Sequence, residues 1–371
     1  MVTVIQVFGS LGAGGAESRM MDVYRMIDHN HVQFTFICLN QAENQFYESE
    51  IQHLGGKIYK MPSPHDIGII QHIYDLYKLF KYLKSENAIA VHAHTLYHCG
   101  IIMLAAKIAQ IPIRISHARS TASLNSNSFI QKVFIHIGKT FIHLFATHRL
   151  ALNTETAEFL YGKKAIKKGK IKILPNAIDL KCFEKNIEPT PPLDIPHNSI
   201  IIGHVGRFNA MKNHHFLIEF YDLFHQKYPN AHLVLVGGGP LKEEISQLVV
   251  NKRLDKQVHF LGLRKDVSAL MSKFDIFILP SIFEGLVGSV LEAQAAGTPC
   301  LVSDSVSTSV DMGLGIVKFK NLNDPLEKWV ETASKLLNNK IRCRKRITEA
   351  FKNKRFTIEQ EIEDLYNIYN I

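Results

Sequence analysis

No apolar run in this chain approaches the roughly 18–20 residues that a membrane span requires. The opening residues, MVTVIQVFGS, lack the basic start and small-residue cleavage site of a secretory leader and read instead as the first strand of a sheet. Cysteines are few. Cys38, Cys99, Cys182, Cys300 and Cys343 are scattered, odd in number and without a CxxC pair. That excludes a disulfide framework and a structural zinc, and it fits a reducing compartment. Acidic residues are missing altogether between Glu86 and Glu155, a stretch that holds Lys107, Arg114, Arg119, Lys132, Lys139 and Arg149. A field of that sign attracts phosphate, nucleic acid or an anionic lipid surface.

The rest of the composition is that of an ordinary globular protein: 46% hydrophobic, 21% charged, net charge +9. Most of the positive excess lies early, since residues 1–185 hold 21 Lys and Arg against 13 Asp and Glu. At 371 residues the chain is too long for one ordinary core, so two domains are expected.

Short β-branched runs alternate with helical patterns. Strands are expected at Thr3–Phe8, Phe34–Leu39, Lys57–Met61, Ala88–Ala93, Ile113–His117, Arg149–Asn153 and Ile171–Leu174, with helices such as Gly14–Ile27 and Ile69–Lys84 between them. The stretch 188–196, EPTPPLDIP, continues neither element and reads as a linker. A second series follows at Ile200–Val205, His232–Val236, Val258–Leu261, Ile276–Leu279 and Cys300–Ser303, closed by helices near 325–338, 342–353 and 357–368. The expected class is α/β, with two doubly wound, Rossmann-like domains facing a central cleft. The domains run over 1–187 and 188–355, and residues 356–371 form a helix that crosses back to the first. Ligands of such sheets sit beyond the carboxyl ends of the strands, which places the site in the cleft.

Four loops at strand ends carry the chemistry. Gly9-Ser-Leu-Gly-Ala-Gly-Gly-Ala-Glu17 either brings backbone and a helix N-terminus to a phosphate or is a tight turn into a helix. Its register departs from the dinucleotide fingerprint, and Cys38-Leu-Asn-Gln stands where that fingerprint wants an acid, so a dehydrogenase is disfavoured. In Gly206-Arg-Phe-Asn-Ala-Met-Lys212-Asn213, Arg207 offers a planar fork and Lys212 a point charge, suited to a diphosphate. Val236-Gly-Gly-Gly-Pro240 permits close approach of a nucleoside, or is a flexible turn. In the fourth, Glu284 and Glu292 are eight residues apart, at most ~12 Å at helical rise. That suits one carboxylate on sugar hydroxyls and the other on ribose hydroxyls, with the intervening helix N-terminus toward the diphosphate.

Taken in order, these motifs resemble the retaining glycosyltransferases of family 4, which have the GT-B fold. The likeness comprises the GGAE turn, Leu174-Pro-Asn-Ala-Ile-Asp179, GRFxxxKN, LVGGGP, FLGxxxDV and the paired glutamates, over about residues 5–312. Bacterial exopolysaccharide and capsule glycosyltransferases are the nearest look-alikes. The resemblance implies transfer of a sugar from a nucleotide-sugar donor, a UDP-sugar by expectation, to a saccharide or lipid-linked oligosaccharide acceptor. It implies Arg207 and Lys212 on the donor diphosphate, Glu284 on the donor sugar, Glu292 on the ribose and His117 near the reacting centre. Gly14, Gly15, Gly206, Gly238, Leu263, Gly285, Leu286 and Val287 would complete the donor site. Retention then needs no protein nucleophile, because the departing phosphate helps deprotonate the acceptor hydroxyl. Many relatives have proline where Val287 stands and glycine where Ala177 stands; neither change removes a charge. No Asp-x-Asp triplet is present to bridge a metal to the diphosphate, so neither a metal nor another cofactor is expected.

Two features lie outside that set. Val91-His-Ala-His94 puts two imidazoles on one strand face, with no third metal ligand evident in the sequence. In the stretch 129–148, Lys132, His136, Lys139 and His143 form one helical stripe, with Phe134, Ile137, Phe141, Leu144 and Phe145 elsewhere around the helix. This either rests on an anionic membrane, making the basic stretch 107–149 a peripheral contact, or covers the sheet with its stripe in water. The expected location is cytoplasmic, at the inner face of the cell membrane. The competing functions are a sugar-nucleotide epimerase of the same fold and a nucleic-acid or membrane binding module; no nucleic-acid motif supports the latter.

Overall fold

Strand residues that are apolar without interruption are buried on both faces, the pattern of parallel sheets covered by helices. The computed structural model describes residues 1–121, 129–184, 188–189, 193–284 and 286–371. Its first sheet contains β1 (Val2–Phe8), β2 (Val32–Cys38), β3 (Lys57–Lys60), β4 (Ala88–Ala93), β5 (Ile113–Ala118), β6 (His148–Ala151) and β7 (Lys172–Ile173). They lie in the order β3-β2-β1-β4-β5-β6-β7, all parallel. The second sheet contains β8 (Ile200–Val205), β9 (Ala231–Val236), β10 (Val258–Gly262), β11 (Ile276–Leu279), β12 (Cys300–Ser303) and β13 (Val317–Lys320). Its order is β10-β9-β8-β11-β12-β13, again all parallel. In each sheet the order reverses beside the first strand, between β1 and β4 and between β8 and β11. Those are the topological switch points at which doubly wound sheets bind ligands.

Alternation along one strand shows the two-sided burial. In β1, Ile5 and Val7 join the core on one face while Val4 and Phe8 join the core on the other. Likewise in β9, Val234 and Val236 face one core and Leu233 and Leu235 the opposite one. Helix Cys99–Ile108 escapes a periodicity reading because it is apolar nearly all round and buried along most of its length. It lies backbone to backbone against helix Phe129–Phe145: a Cβ on Gly100 would run into the Gly138 carbonyl, and one on Gly138 into the Tyr97 carbonyl. β13 (VKFK) is too short and too charged to announce itself.

The chain forms two compact units, Met1–Ala177 with Ile358–Ile371, and Ile178–Thr357. The sequence reading places the first boundary ten residues later, at 187/188, because proline punctuates the chain there. Packing divides it earlier, since Ile178 and Phe183 are buried in the core of the second unit. The expected linker falls partly outside the described residues, at 190–192. Helix Ile358–Tyr369 belongs to the first unit, where Ile358, Leu365, Ile368 and Tyr369 are buried.

Helix Phe129–Phe145 differs from the expected basic stripe. Lys139 turns inward, its Nζ donating to the Phe159 carbonyl at 2.8 Å. Arg114 Nε and Arg149 Nη2 donate to the Phe145 and His143 carbonyls at the end of the helix, at 2.7 and 2.9 Å, and Arg119 lies among the buried histidines described below. Lys107 and Lys132 remain outward. Phe129, Ile130, Val133, Ile137 and Leu144 are exposed. No helix among the described residues is long and apolar enough to cross a membrane.

Candidate functional site

In the second unit, the loops after β8 and β11 flank the switch point, and they bring Lys212 and Glu284 together. Lys212 ends a single 3-10 turn, Ala210–Lys212, started by the Asn209 side chain, which accepts from Lys212 N at 3.2 Å. Asn213 takes a left-handed conformation (φ 53°), which stops the turn and starts helix His214–Lys227. Lys212 Nζ lies 2.9 Å from Glu284 Oε1, with both side chains partly exposed to solvent. Arg207, on the same loop, is exposed, and its side chain makes no hydrogen bond or ion pair among the described residues.

The three glycines of the β9 loop are not equivalent. Gly237 (φ 138°) and Gly239 (φ 151°) lie so close to the Gly206 and Phe208 carbonyls that a Cβ on either would collide with backbone. Gly238 is different: among the described residues a Cβ there would meet only the Leu263 side chain, at 3.8 Å, and Leu263 is itself exposed. Gly206 has His204 and Lys212 beside it, each about 3.1 Å from the position of a Cβ. The structure therefore gathers Gly206, Lys212, Gly238, Leu263 and Glu284 at the carboxyl ends of β8 to β11. Helix Gly288–Ala295 follows, and its N-cap, Val287, supplies no side-chain acceptor for the first turn. Val287 is buried and Leu286 half-buried in the core, so each offers a ligand its backbone rather than its side chain. Glu292 is half-buried within that helix, and Gly285 lies outside the described residues.

His204 and His214 are functional candidates that the motif reading passed over. His204 Nδ1 lies 2.9 Å from the Ile278 carbonyl, while the His214 ring stacks on Phe208. Burial holds both pKa values down, helped by the charges of His214 and Lys212 at His204 and of Lys212 and His215 at His214, which falls to about 4. Both are neutral behind the Lys212 loop. A histidine inside the apolar run Ile-Ile-Ile-Gly-His-Val was the available signal.

In the first unit, Gly14 and Gly15 start helix Gly15–Met26 after β1. A Cβ on Gly14 would strike the Glu17 carboxylate, which folds back over the turn; a Cβ on Gly15 would meet no atom of another element within 4 Å among the described residues. Gly15 is thus the open position. Burial raises the Glu17 pKa, opposed by its own backbone N–H and by Arg119.

β5 supplies the third imidazole that the sequence did not reveal. His92, His94 and His117 hold ring nitrogens within 4.8 Å of one another, the spacing of a three-histidine metal site. They are buried, and hydrogen bonds run through them: Arg119 Nε to His94 Nδ1 (3.0 Å), His94 Nε2 to Gln6 Oε1 (3.0 Å), Gln6 Nε2 to Tyr369 OH (3.2 Å), Tyr369 OH to His92 Nδ1 (2.8 Å) and His92 Nε2 to His117 Nδ1 (3.0 Å). Burial foremost, then the charge of Arg119 and the neighbouring rings, holds all three well below the usual imidazole pKa. Arg119 Nη1 also donates to Asn176 Oδ1 at 2.6 Å. Nearby, Glu361 Oε2 accepts from Ala177 N at 2.9 Å, and burial raises its pKa to about 7 against the opposing charge of Arg119. Gln6 and Tyr369 are 363 residues apart, so no local pattern could have paired them.

Comparison with known proteins identifies the family. Residues 13–181 match the family described as Glycosyltransferase Family 4, and residues 188–353 match Glycosyl transferases group 1. The chain is 33% identical to the putative glycosyltransferase EpsF of Bacillus subtilis, over 99% of this chain and 96% of that protein. It is 28% identical, over 64% of each chain, to the UDP-Gal:alpha-D-GlcNAc-diphosphoundecaprenol alpha-1,3-galactosyltransferase of Escherichia coli. Among solved structures, Anabaena Alr3699/HepE in complex with UDP and glucose superposes over all of both chains with a TM-score of 0.74 at 15% identity.

Proposed function

The chain belongs to glycosyltransferase family 4, and on that premise we propose that it is a retaining transferase using a UDP-sugar donor and a saccharide or lipid-linked oligosaccharide acceptor, in the assembly of an extracellular or capsular polysaccharide. The observation that carries this reading is the meeting of Lys212 and Glu284 at the switch point of the second sheet, beside the Gly238–Leu263 corner. A cation there neutralises a diphosphate, a carboxylate accepts from sugar hydroxyls, and the glycine corner gives a flat base room to approach. UDP and a lipid-linked acceptor appear in the name of the Escherichia coli relative, and UDP with glucose in that of the Anabaena structure.

In the proposed reaction, the acceptor hydroxyl forms a bond to the anomeric carbon on the face from which the bond to the diphosphate oxygen breaks. The hydroxyl proton passes to the departing phosphate, and UDP leaves. Arg207 and Lys212 stabilise the charge that develops on the diphosphate, so this reading calls for no metal. Glu284 holds the donor sugar and Glu292 the ribose; backbone at Gly206, Gly238 and 285–287 borders the donor. Gly15 approaches phosphate, and His117 is assigned to the reacting centre. Rate enhancement then comes from positioning and preorganised positive charge.

A lipid-linked acceptor suits the outward face of helix Phe129–Phe145, where Phe129, Ile130, Val133, Ile137 and Leu144 stand exposed beside Lys132. In a parallel sheet the crossover helices begin at the carboxyl ends of the strands, so Phe129 and Ile130 lie at the same edge of the first sheet as His117. We assign this face to a peripheral contact with the inner surface of the cell membrane. The test is to incubate the protein with UDP-, GDP- and ADP-sugars, with and without membrane extract, and to measure nucleoside diphosphate release and product configuration. UDP release stimulated by the extract, with the donor's anomeric configuration kept, is expected. Isomerisation of the donor without an acceptor would favour an epimerase, and an inverted product would remove the retaining mechanism.

A further inference from the structure

The buried hydrogen-bond series of the first unit has a direction, and Arg119 sets it. A guanidinium donates and never accepts. His94 Nδ1, facing Arg119 Nε at 3.0 Å, must therefore carry a lone pair. A neutral imidazole with its lone pair on Nδ1 has its proton on Nε2, so His94 donates to Gln6 Oε1. That orients the Gln6 amide with its NH2 group toward the Tyr369 hydroxyl. The hydroxyl, accepting from Gln6, gives its own hydrogen to His92 Nδ1. The same logic puts the His92 proton on Nε2, aimed at His117 Nδ1, and so puts the His117 proton on Nε2. That last N–H is buried and makes no hydrogen bond among the described residues, although the Leu174 carbonyl lies beside the ring.

We propose that this series locks His117 as the Nε2–H tautomer, making it a hydrogen-bond donor to a substrate oxygen and not a general base, with Arg119 and Tyr369 as positioning residues. A base at Nε2 would need the His117 proton on Nδ1, where it would confront the His92 N–H across 3.0 Å. Relieving that clash means reversing every bond back to Arg119, which has no lone pair to offer. The same accounting argues against a metal ion at the three histidines. The lone pairs of His94, His92 and His117 are each engaged, by Arg119, Tyr369 and His92 respectively, so none is left for a cation. The consequence for catalysis rests on His117 lying near the reacting centre; the tautomer does not.

The test reads the tautomers directly, on the full chain labelled with 15N-histidine, through two-bond proton–nitrogen correlations assigned with single His→Asn variants. Near neutral pH, His92, His94 and His117 are each expected neutral and protonated at Nε2. Tyr369→Phe cuts the series after Gln6: His94 should keep its pattern, while His92 and His117 become mixtures of tautomers. In the same variant kcat should fall about tenfold with donor KM changed less than about twofold, the pattern for a group that matters mainly in the transition state. A wild-type His117 that is charged or protonated at Nδ1 overturns the proposal, as does an unchanged His117 pattern in Tyr369→Phe. So does a shift of all three rings on adding one equivalent of zinc. A protein with the expected tautomers but no transferase activity would instead count against the functional reading.

Discussion

The Lys212 ammonium and the Glu284 carboxylate, 72 positions apart in the chain, lie 2.9 Å from one another at the mouth of the second sheet. Each is assigned a different part of a sugar-nucleotide donor, and in the free protein each neutralises the other. The pair keeps both charges positioned at the end of the sheet before a donor arrives. Donor binding then exchanges one ion pair for two charge-assisted contacts, to diphosphate and to sugar hydroxyls.

Lys212→Ala is expected to lower kcat by ~10²–10³, the usual loss for one preorganised charge-stabilising group. Its unfolding free energy should move by less than about 1 kcal/mol, because a pair this close to solvent contributes little to stability. Nucleoside diphosphate release and denaturant unfolding on the same preparation check both. Wild-type turnover in the variant would remove Lys212 from the mechanism.

The glycines of the β9 loop should separate folding from binding. Gly237→Ala and Gly239→Ala each push a Cβ toward backbone at a φ that favours glycine, and each should destabilise by ~2–4 kcal/mol. Gly238→Ala has room beside Leu263, so its unfolding transition should match wild type while its affinity for UDP falls. Calorimetric titration with UDP distinguishes the three; tight UDP binding by Gly238→Ala would move the base-binding corner elsewhere.

Glu361 gives the protein a specific pH dependence. Its folded pKa of about 7 lies above the ordinary 4.5, so the native state holds this proton more tightly than the unfolded chain does. The resulting stability is complete below pH 4.5 and is lost as the pH rises through 7, a change of about 3 kcal/mol. Glu361→Gln keeps an acceptor for the Ala177 N–H without titrating, so it should gain on wild type across that window. Unfolding curves at several pH values that run parallel for the two proteins would show that Glu361 is not the cause.

Phe129→Ser combined with Ile130→Ser should reduce binding to anionic vesicles at least tenfold, since each lost side chain contributes ~1.5–3 kcal/mol when buried. Because Lys139, Arg114 and Arg149 are held against internal carbonyls, wild-type binding should weaken only modestly at raised salt. Vesicle flotation at two ionic strengths reads both effects. Binding abolished by salt alone would return the weight to the basic residues.

The class of fold and the order of the strand-end loops were legible in the residues alone. Parallel strands buried on both faces are largely apolar, and loops whose backbones press on other backbone favour glycine, so Ile200–Val205 and Gly237–Gly239 could be read directly despite His204 within the first. Glu284 and the Arg207–Lys212 loop were legible because charges on loops at strand ends have few structural reasons to be there. Which of those charges meet, and which cations face outward, depends on packing between distant segments. A histidine inside a strand looks the same whether or not its neighbours belong to one network. Gln6, His92, His117, Arg119 and Tyr369 come together only because β1, β4 and β5 are adjacent and the last helix returns to the first unit. Sequence counts the charges of the basic stretch, while packing decides which of them turn inward to carbonyls, as Arg114, Lys139 and Arg149 do.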